Sequence, residues 1–310
     1  MDQGAIVSII KSVLILSVCV LLIGCSEQQN QIGGEHTQGS SSPCTDNSRA
    51  CLSETAMSYI EALWATDGTL ARLHPNARRT HNGGGSVDEG GALIAEKISA
   101  DEITGYKNLR LIVDDQKGDV FAFWIVEGPR GGAHVAERIR AQEGLITEIE
   151  VFVAMDERPI DEIENLWPDK VENGLSGHGC ATPVRQCLYE IANTYLNGLV
   201  IADGSSVKFA PDVRRTQNGG NVQIGEKTLR ASVDREKLAF KRNFRLFADE
   251  SGGEIVAVWL TGTDRPGHIS TAHVIERLRV QGGLITEIEV FYTLEEGTLE
   301  GTSGWPDDLS

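Results

Sequence analysis

The chain has 310 residues, with 45 acidic against 28 basic side chains and a formal net charge of −17 at neutral pH. Both halves carry the acidic excess, so neither nucleic acid nor an anionic membrane surface is expected as a partner, because phosphate recognition rests on clustered Lys and Arg. Aromatic residues, at 6% of the chain, do not build a base-stacking platform.

Residues 1–24 match an export signal. Lys11 stands in a short leading segment, and the apolar run from Ser12 to Gly24 is too short for a permanent membrane helix but suits a signal-peptide core. Leu22-Ile23-Gly24-Cys25 resembles a bacterial lipobox, which implies that Cys25 is acylated and becomes the new N-terminus; an ordinary cleaved signal or a short anchor is the alternative. Ser26 resembles the outer-membrane sorting choice. The expected location is the cell envelope, on the outer membrane facing the periplasm in a Gram-negative cell, with the membrane met through the lipid alone. Residues 25–43 are polar, rich in Gly, Ser and Gln and without apolar period, which predicts a flexible tether.

Four further cysteines, Cys44, Cys51, Cys180 and Cys187, form two C-x6-C pairs. In an oxidising compartment this predicts the disulfides Cys44–Cys51 and Cys180–Cys187, each fastening an arm to the helix that follows. A zinc site is the alternative, without a nearby His or Cys pair at finger spacing.

The chain repeats itself. Ala77-Arg78-Arg79-Thr80-His81-Asn82-Gly83-Gly84 answers Val213-Arg214-Arg215-Thr216-Gln217-Asn218-Gly219-Gly220, and Glu137–Phe152 answers Glu276–Phe291 with thirteen of sixteen positions identical. The offset grows only from 136 to 139 between these blocks, which predicts a duplicated globular domain over residues 44–172 and 180–310, joined by a Gly-rich linker at 173–179. Within the first copy, Ser53–Trp64 puts Ala56, Ile60, Leu63 and Trp64 on one stripe of an amphipathic helix, ended by a turn at Asp67-Gly68. A loop with the Arg-Thr-x-Asn-Gly motif follows, then a second helical stretch at Leu93–Ser99. Four strands are expected next, at Asn108–Val113, Asp119–Val126, His134–Ala141 and Leu145–Val153. The run from Phe121 to Val126 is apolar on both faces and therefore central. Helices first and strands after predict an α+β domain, with helices on one side of an antiparallel sheet.

This order of elements, ending in Gly-x-Ile-Thr-Glu-Ile-Glu, resembles the nuclear transport factor 2-like (SnoaL-like) superfamily. The Arg-x-Thr-x-Asn-Gly and Arg-x-Arg-x-Gln-x-Gly-x-Ile-Thr-Glu-Ile-Glu motifs further resemble a domain of unknown function within it, found in secreted fungal and bacterial proteins. The resemblance implies two tandem copies of a curved sheet wrapped around N-terminal helices as a cone-shaped pocket. It also implies an intramolecular pseudo-dimer packed sheet to sheet. Function is left open, since such folds serve isomerases, hydrolases, lyases and binding modules alike.

The last hairpin of the first copy predicts the candidate site. A three-residue turn at Gln142-Glu143-Gly144 would pair Arg138 with Glu148. One face then carries Arg138, Arg140, Glu148 and Glu150, a solvated or interfacial charge ladder. The other is apolar except for Glu137, and Glu276 repeats the arrangement. A carboxyl on an apolar pocket face has a raised pKa and suits general acid or base work; the alternative is a salt bridge to Arg79 or a backbone cap. Arg79, His81 and Asn82, with Arg215 and Asn218 in the second copy, are candidate ligand-binding groups at the pocket mouth; equally, Thr80 and Asn82 fix the turn. His134 and His273 open equivalent strands on the ladder side. No cofactor is expected. Two functions follow: binding of a small organic ligand in one or both copies, or a cofactor-free acid–base isomerase, lyase or hydrolase.

Overall fold

The computed structural model of the chain describes residues 44–156, 158–163, 177–182, 184–236, 238–265 and 268–296. The expected signal, Cys25, the tether to residue 43 and residues 173–176 of the expected linker lie outside them.

The first helix, α1 (Arg49–Ala65), begins a turn earlier than the apolar pattern indicates, because the Ser48 side chain caps it by accepting from Cys51 N. The disulfide Cys44–Cys51 ties the preceding arm to that first turn, and Cys180–Cys187 does the same for α3 (Val184–Ile201). Thr66, in the left-handed conformation, closes α1 through its N–H on the Ala62 and Leu63 carbonyls. Leu52, Ala56, Tyr59, Ile60 and Leu63 form the buried stripe; Trp64 is 46% exposed and leaves it to meet Tyr106 edge to face.

The Arg-Arg-Thr segment, expected as a loop, is a strand. β1 (Leu73–His81) turns at Asn82-Gly83-Gly84 into β2 (Ser86–Glu89), and α2 (Gly91–Ala100) follows. A run of Arg, Thr and His offers little apolar alternation; β1 is held instead by partners on both edges, antiparallel to β2 and parallel to β6. β3 (Gly105–Asp114), β4 (Asp119–Gly128), β5 (Gly131–Gln142) and β6 (Leu145–Asp156) complete a sheet ordered β2-β1-β6-β5-β4-β3. The parallel β1–β6 pair makes this sheet mixed rather than wholly antiparallel. The second copy repeats it with β7 (Phe209–Gln217), β8 (Gly220–Ile224), α4 (Glu226–Val233), β9 (Leu238–Asp249), β10 (Glu254–Arg265), β11 (His268–Gln281) and β12 (Leu284–Glu296), ordered β8-β7-β12-β11-β10-β9.

The β5–β6 register differs from the expected one. The turn is the two-residue Glu143-Gly144, at φ 52° and 75°, and a bulge follows at Arg140/Ala141. Two left-handed residues match the strand twist, which a longer turn does not require. Arg138 therefore faces Glu150 and Arg140 faces Glu148. Glu137 keeps Val135, Ile139 and Ala141 as face neighbours and gains Ile146, while Thr147 is the extra residue of the bulge.

Each sheet has two buried faces. One packs on α1 and α2, or on α3 and α4, around its own core. The other faces the second copy: Ile112, Phe121, Phe123, Ala136 and Phe152 pack with Phe247, Val256, Val258, Ile275 and Phe291. Phe121 and Phe247 centroids lie 4.9 Å apart, Phe123 and Phe291 6.0 Å. The charge ladder lies within this junction. Arg138, 1% exposed, meets Asp119, Glu148 and Glu150 at 2.6–2.9 Å. Arg277 pairs likewise with Glu254 and Glu287. Cross-copy pairs are reciprocal: Arg245 reaches Glu150 at 2.9 Å as Arg110 reaches Glu289 at 2.7 Å, and Arg185 holds Asp114 at 2.8 Å as Arg49 holds Asp249 at 2.6 Å. The ladder is interfacial, and its burial follows from the apolar residues that alternate with it.

Candidate functional site

Strand register brings the site together. Arg79 lies opposite Ile149, and Glu137 opposite Val151, so both project from the helix-facing side of the sheet with β6 between them. Ala122 lies opposite Glu137, which puts Trp124, two residues on, on the same face. From the buried stripe of α1, Tyr59 donates its hydroxyl to Glu137 Oε1 at 3.1 Å. The second copy builds the same group: Tyr195 donates to Glu276 Oε1 at 2.7 Å, beside Arg215 and Trp259. All eight residues are buried, none more than 5% exposed.

Burial pushes both carboxyls up to about 7, against the opposing pull of Arg79 or Arg215 and of the tyrosine hydroxyl. Burial also drives the Tyr59 and Tyr195 hydroxyls well above their ordinary value, so both remain donors. The Trp124 indole favours the charged form of Glu137 without reaching hydrogen-bond geometry, and neither Trp124 Nε1 nor Glu137 Oε2 has a hydrogen-bonded partner. Trp259 Nε1 and Glu276 Oε2 are in the same condition. The salt bridge between Glu137 and Arg79 anticipated as an alternative is not formed; their interaction is through space.

The arginines differ between the copies. Arg79 Nε donates to His81 Nε2 at 2.8 Å, while Asp101 and Asp88 lie at 3.5 and 4.0 Å. His81 is therefore an acceptor and neutral; burial first and Arg79 second push its pKa down to about 4. Arg215 instead places both terminal nitrogens on Glu236, at 2.7 and 3.4 Å, and Gln217 stands where His81 does.

Asn82 and Asn218 are not brought to the carboxyls. Asn82 Oδ1 accepts from Val153 N at 2.9 Å, and Asn218 pairs with the Tyr292 backbone through both its amide atoms, at 2.9 and 3.1 Å. Both have left-handed backbones, at φ 48° and 46°, so these side chains fix the turn. His134 and His273 lie on the inter-copy face, each against the glycine turn of the other copy.

Four central residues escaped the pattern reading: Tyr59, Tyr195, Trp124 and Trp259. The duplication carried the signal, since the tyrosines recur 136 apart and the tryptophans 135 apart. Among the described residues, no three His, Cys, Asp or Glu side chains converge as a metal site.

A family model described as a domain of unknown function (DUF8021) matches residues 45–153 and 182–292. No curated protein matches the chain. Solved structures similar to it each span about one copy. An NTF2-like protein of unknown function from Cytophaga hutchinsonii is 18% identical, covering 36% of this chain and 95% of its own, with a TM-score of 0.30. An LEH-like epoxide hydrolase of M. tuberculosis is 16% identical, covering 35% and 84%, with a TM-score of 0.31. The BvnE pinacolase of Penicillium brevicompactum is 12% identical, covering 36% and 87%, with a TM-score of 0.31.

Proposed function

The chain belongs to the family of the domain of unknown function DUF8021 and carries that domain twice; on that footing we propose that it binds a small organic ligand in the interior between helix and sheet. One observation carries this reading. In both copies a buried carboxyl, held on one oxygen by a tyrosine, keeps its second oxygen and a neighbouring indole N–H without hydrogen-bonded partners. Such a group costs roughly 1–3 kcal/mol in a protein core, and its recurrence in both copies points to a use. A ligand with a carbonyl or hydroxyl group satisfies the indole and the carboxyl together.

The lipobox-like Leu22–Cys25 and the polar segment 25–43 support the further reading that the protein is a lipid-anchored envelope protein held off the membrane by a tether. Palmitate labelling that persists in Cys25→Ser would count against it.

A second reading rests on the same carboxyl. With its pKa raised to about 7, Glu137 exchanges a proton near neutrality, as an acid–base catalyst does. A metabolite screen by thermal shift tests the first reading, with Glu137→Gln/Glu276→Gln in parallel. A ligand that stabilises the protein and loses affinity in the double variant supports it. A full screen with no stabilising compound sinks it, and product formed only by the wild type moves the assignment to the enzyme.

A further inference from the structure

We infer that the buried carboxyl site of each copy is positioned in trans: His273 and Thr293 of the second copy set the turn that fastens the first site, and His134 of the first copy sets the turn that fastens the second. This tie lies in the fold itself and is independent of whether a ligand occupies either site.

The contact begins at the Asn-Gly turns. A Cβ added at Gly83 would overlap the His273 ring, and one added at Gly219 would overlap the His134 ring, so each turn rests its backbone on an imidazole of the other copy. Both histidines are buried, at 1% and 2% exposure. Thr293, directly across β11–β12 from His273, donates its hydroxyl to the Asn82 carbonyl at 3.3 Å. Two cross-strand neighbours of the second copy thus hold two consecutive residues of the first.

One further step reaches the carboxyl. Asn82 donates its N–H to the Val151 carbonyl at 2.7 Å, and its Oδ1 accepts from Val153 N at 2.9 Å. Val151 is the residue opposite Glu137. In the second copy Asn218 donates to the Val290 carbonyl at 2.8 Å, and Val290 lies opposite Glu276. The strand that leads into the first turn carries the rest of the group. His81, next to Asn82, accepts from Arg79 Nε, and Arg79 is the cation that draws Glu137 towards its charged form. A close-packed interior passes a displacement along such a chain of contacts rather than absorbing it.

Histidine and glutamate share a strand but not a face. His134 precedes Glu137 by three residues on β5, and His273 precedes Glu276 by three on β11, so the two side chains point to opposite sides of the sheet. Each histidine touches the other copy's turn, while its own copy's carboxyl faces the helices. Damage confined to one strand therefore acts on the site of that copy, whereas loss of the tie acts on the site of the other.

The two ties are unequal. Ala154 lies opposite His134 as Thr293 lies opposite His273, and it has no hydroxyl to offer the Asn218 carbonyl. Of these two holds, the first site has both and the second has the histidine alone.

The full-length chain, purified in detergent and labelled with 5-fluorotryptophan, separates the sites, because Trp124 lies on the face of Glu137 and Trp259 on that of Glu276. Their 19F resonances, assigned by Trp→Phe variants, are followed from about pH 5.5 to 8.5. Glu137→Gln and Glu276→Gln fix which titration belongs to which carboxyl. His273→Gln is expected to raise the Trp124 midpoint by about 0.3 pH unit or more, because an arginine no longer held in place is screened by water, and to leave the Trp259 midpoint unmoved. Thr293→Val, a milder change at a half-buried position, should move the Trp124 midpoint the same way by less. His134→Gln should move the Trp259 midpoint and not that of Trp124. Variants that move only the resonance of their own copy, or both resonances equally, overturn the assignment, as do midpoints that stay in place throughout. Should a histidine variant fail to fold, Thr293→Val decides for the first site by itself.

Discussion

Gly83, in the β1–β2 turn of the first copy, lies directly on the His273 imidazole of the second: a Cβ built at Gly83 would stand 2.0 Å from His273 Cγ. The contact is reciprocal, with Gly219 on His134 at 2.1 Å. Both glycines have left-handed backbones, at φ 75° and 69°. Thr293 Oγ1 also donates to the Asn82 carbonyl across the junction at 3.3 Å. The Asn-Gly pair of each motif thus works at the boundary between copies, the asparagine pinning its own last strand and the glycine admitting the partner's histidine.

Gly83→Ala is accordingly expected to destabilise the protein by at least about 2 kcal/mol, since it adds both a strained backbone and an overlap with the root of the His273 side chain. Gly219→Ala should match it. Urea denaturation measures both, and a loss below about 0.5 kcal/mol in each would show that the turn does not bear on the other copy.

Glu137 and Glu276 make stability depend on pH in a defined sense. Their native pKa of about 7 lies above the ordinary 4.5, so the folded protein holds protons that the unfolded chain releases. Their contribution is full below about pH 4.5 and is lost as pH rises through 7, by about 3 kcal/mol per copy. His81 and His134 oppose this, because their lowered native pKa values remove stability as pH falls below 6.5. The difference between wild type and Glu137→Gln/Glu276→Gln isolates the carboxyls. Measured at pH 5, 6, 7 and 8, the wild type should lose stability relative to the variant at each step, and a pH-independent difference would contradict the assignment.

Arg138→Ala leaves Asp119, Glu148 and Glu150 clustered in the junction without the guanidinium that joins all three, although Arg245 of the second copy still meets Glu150. Breaking a buried ion group in this way costs about 3–5 kcal/mol, whereas an apolar replacement of the whole group need not. Arg277→Ala should behave alike in the second copy. Unfolding midpoints that barely move would show that these carboxylates reach solvent.

The disulfides close short loops, seven residues apart in sequence, so each contributes about 2 kcal/mol through the unfolded chain. Cys44→Ser and Cys180→Ser should each lower stability by that amount, and the double variant by about twice as much. Under reducing conditions the wild type should converge on the double variant; persistence of the gap would point to another cause.

The parts of this architecture visible in the sequence are those governed by neighbours along the chain. The period of α1, the alternation of β3 to β6 and the two C-x6-C pairs each announce themselves within a dozen residues. The identity of β1 does not, because its partner β6 lies about 70 residues away, as Arg79 opposite Ile149 shows. Glu137 stood out as a lone charge among apolar residues. Tyr59 and Trp124 did not, since on a helix stripe and an apolar strand they look like ordinary core.

The duplication of a domain, the order of its two helices and last four strands, the cysteine pairing and the one glutamate on an apolar face of each copy are thus legible along the chain. Tertiary structure alone decided what surrounds that glutamate and what the Asn-Gly turn touches. Side-chain periodicity states which residues share a face, but not which distant element covers it. Sheet register across β1, β6, β5 and β4 put Arg79, Glu137 and Trp124 together, and the packing of one copy on the other turned a charge ladder that alternates with apolar residues into a buried junction.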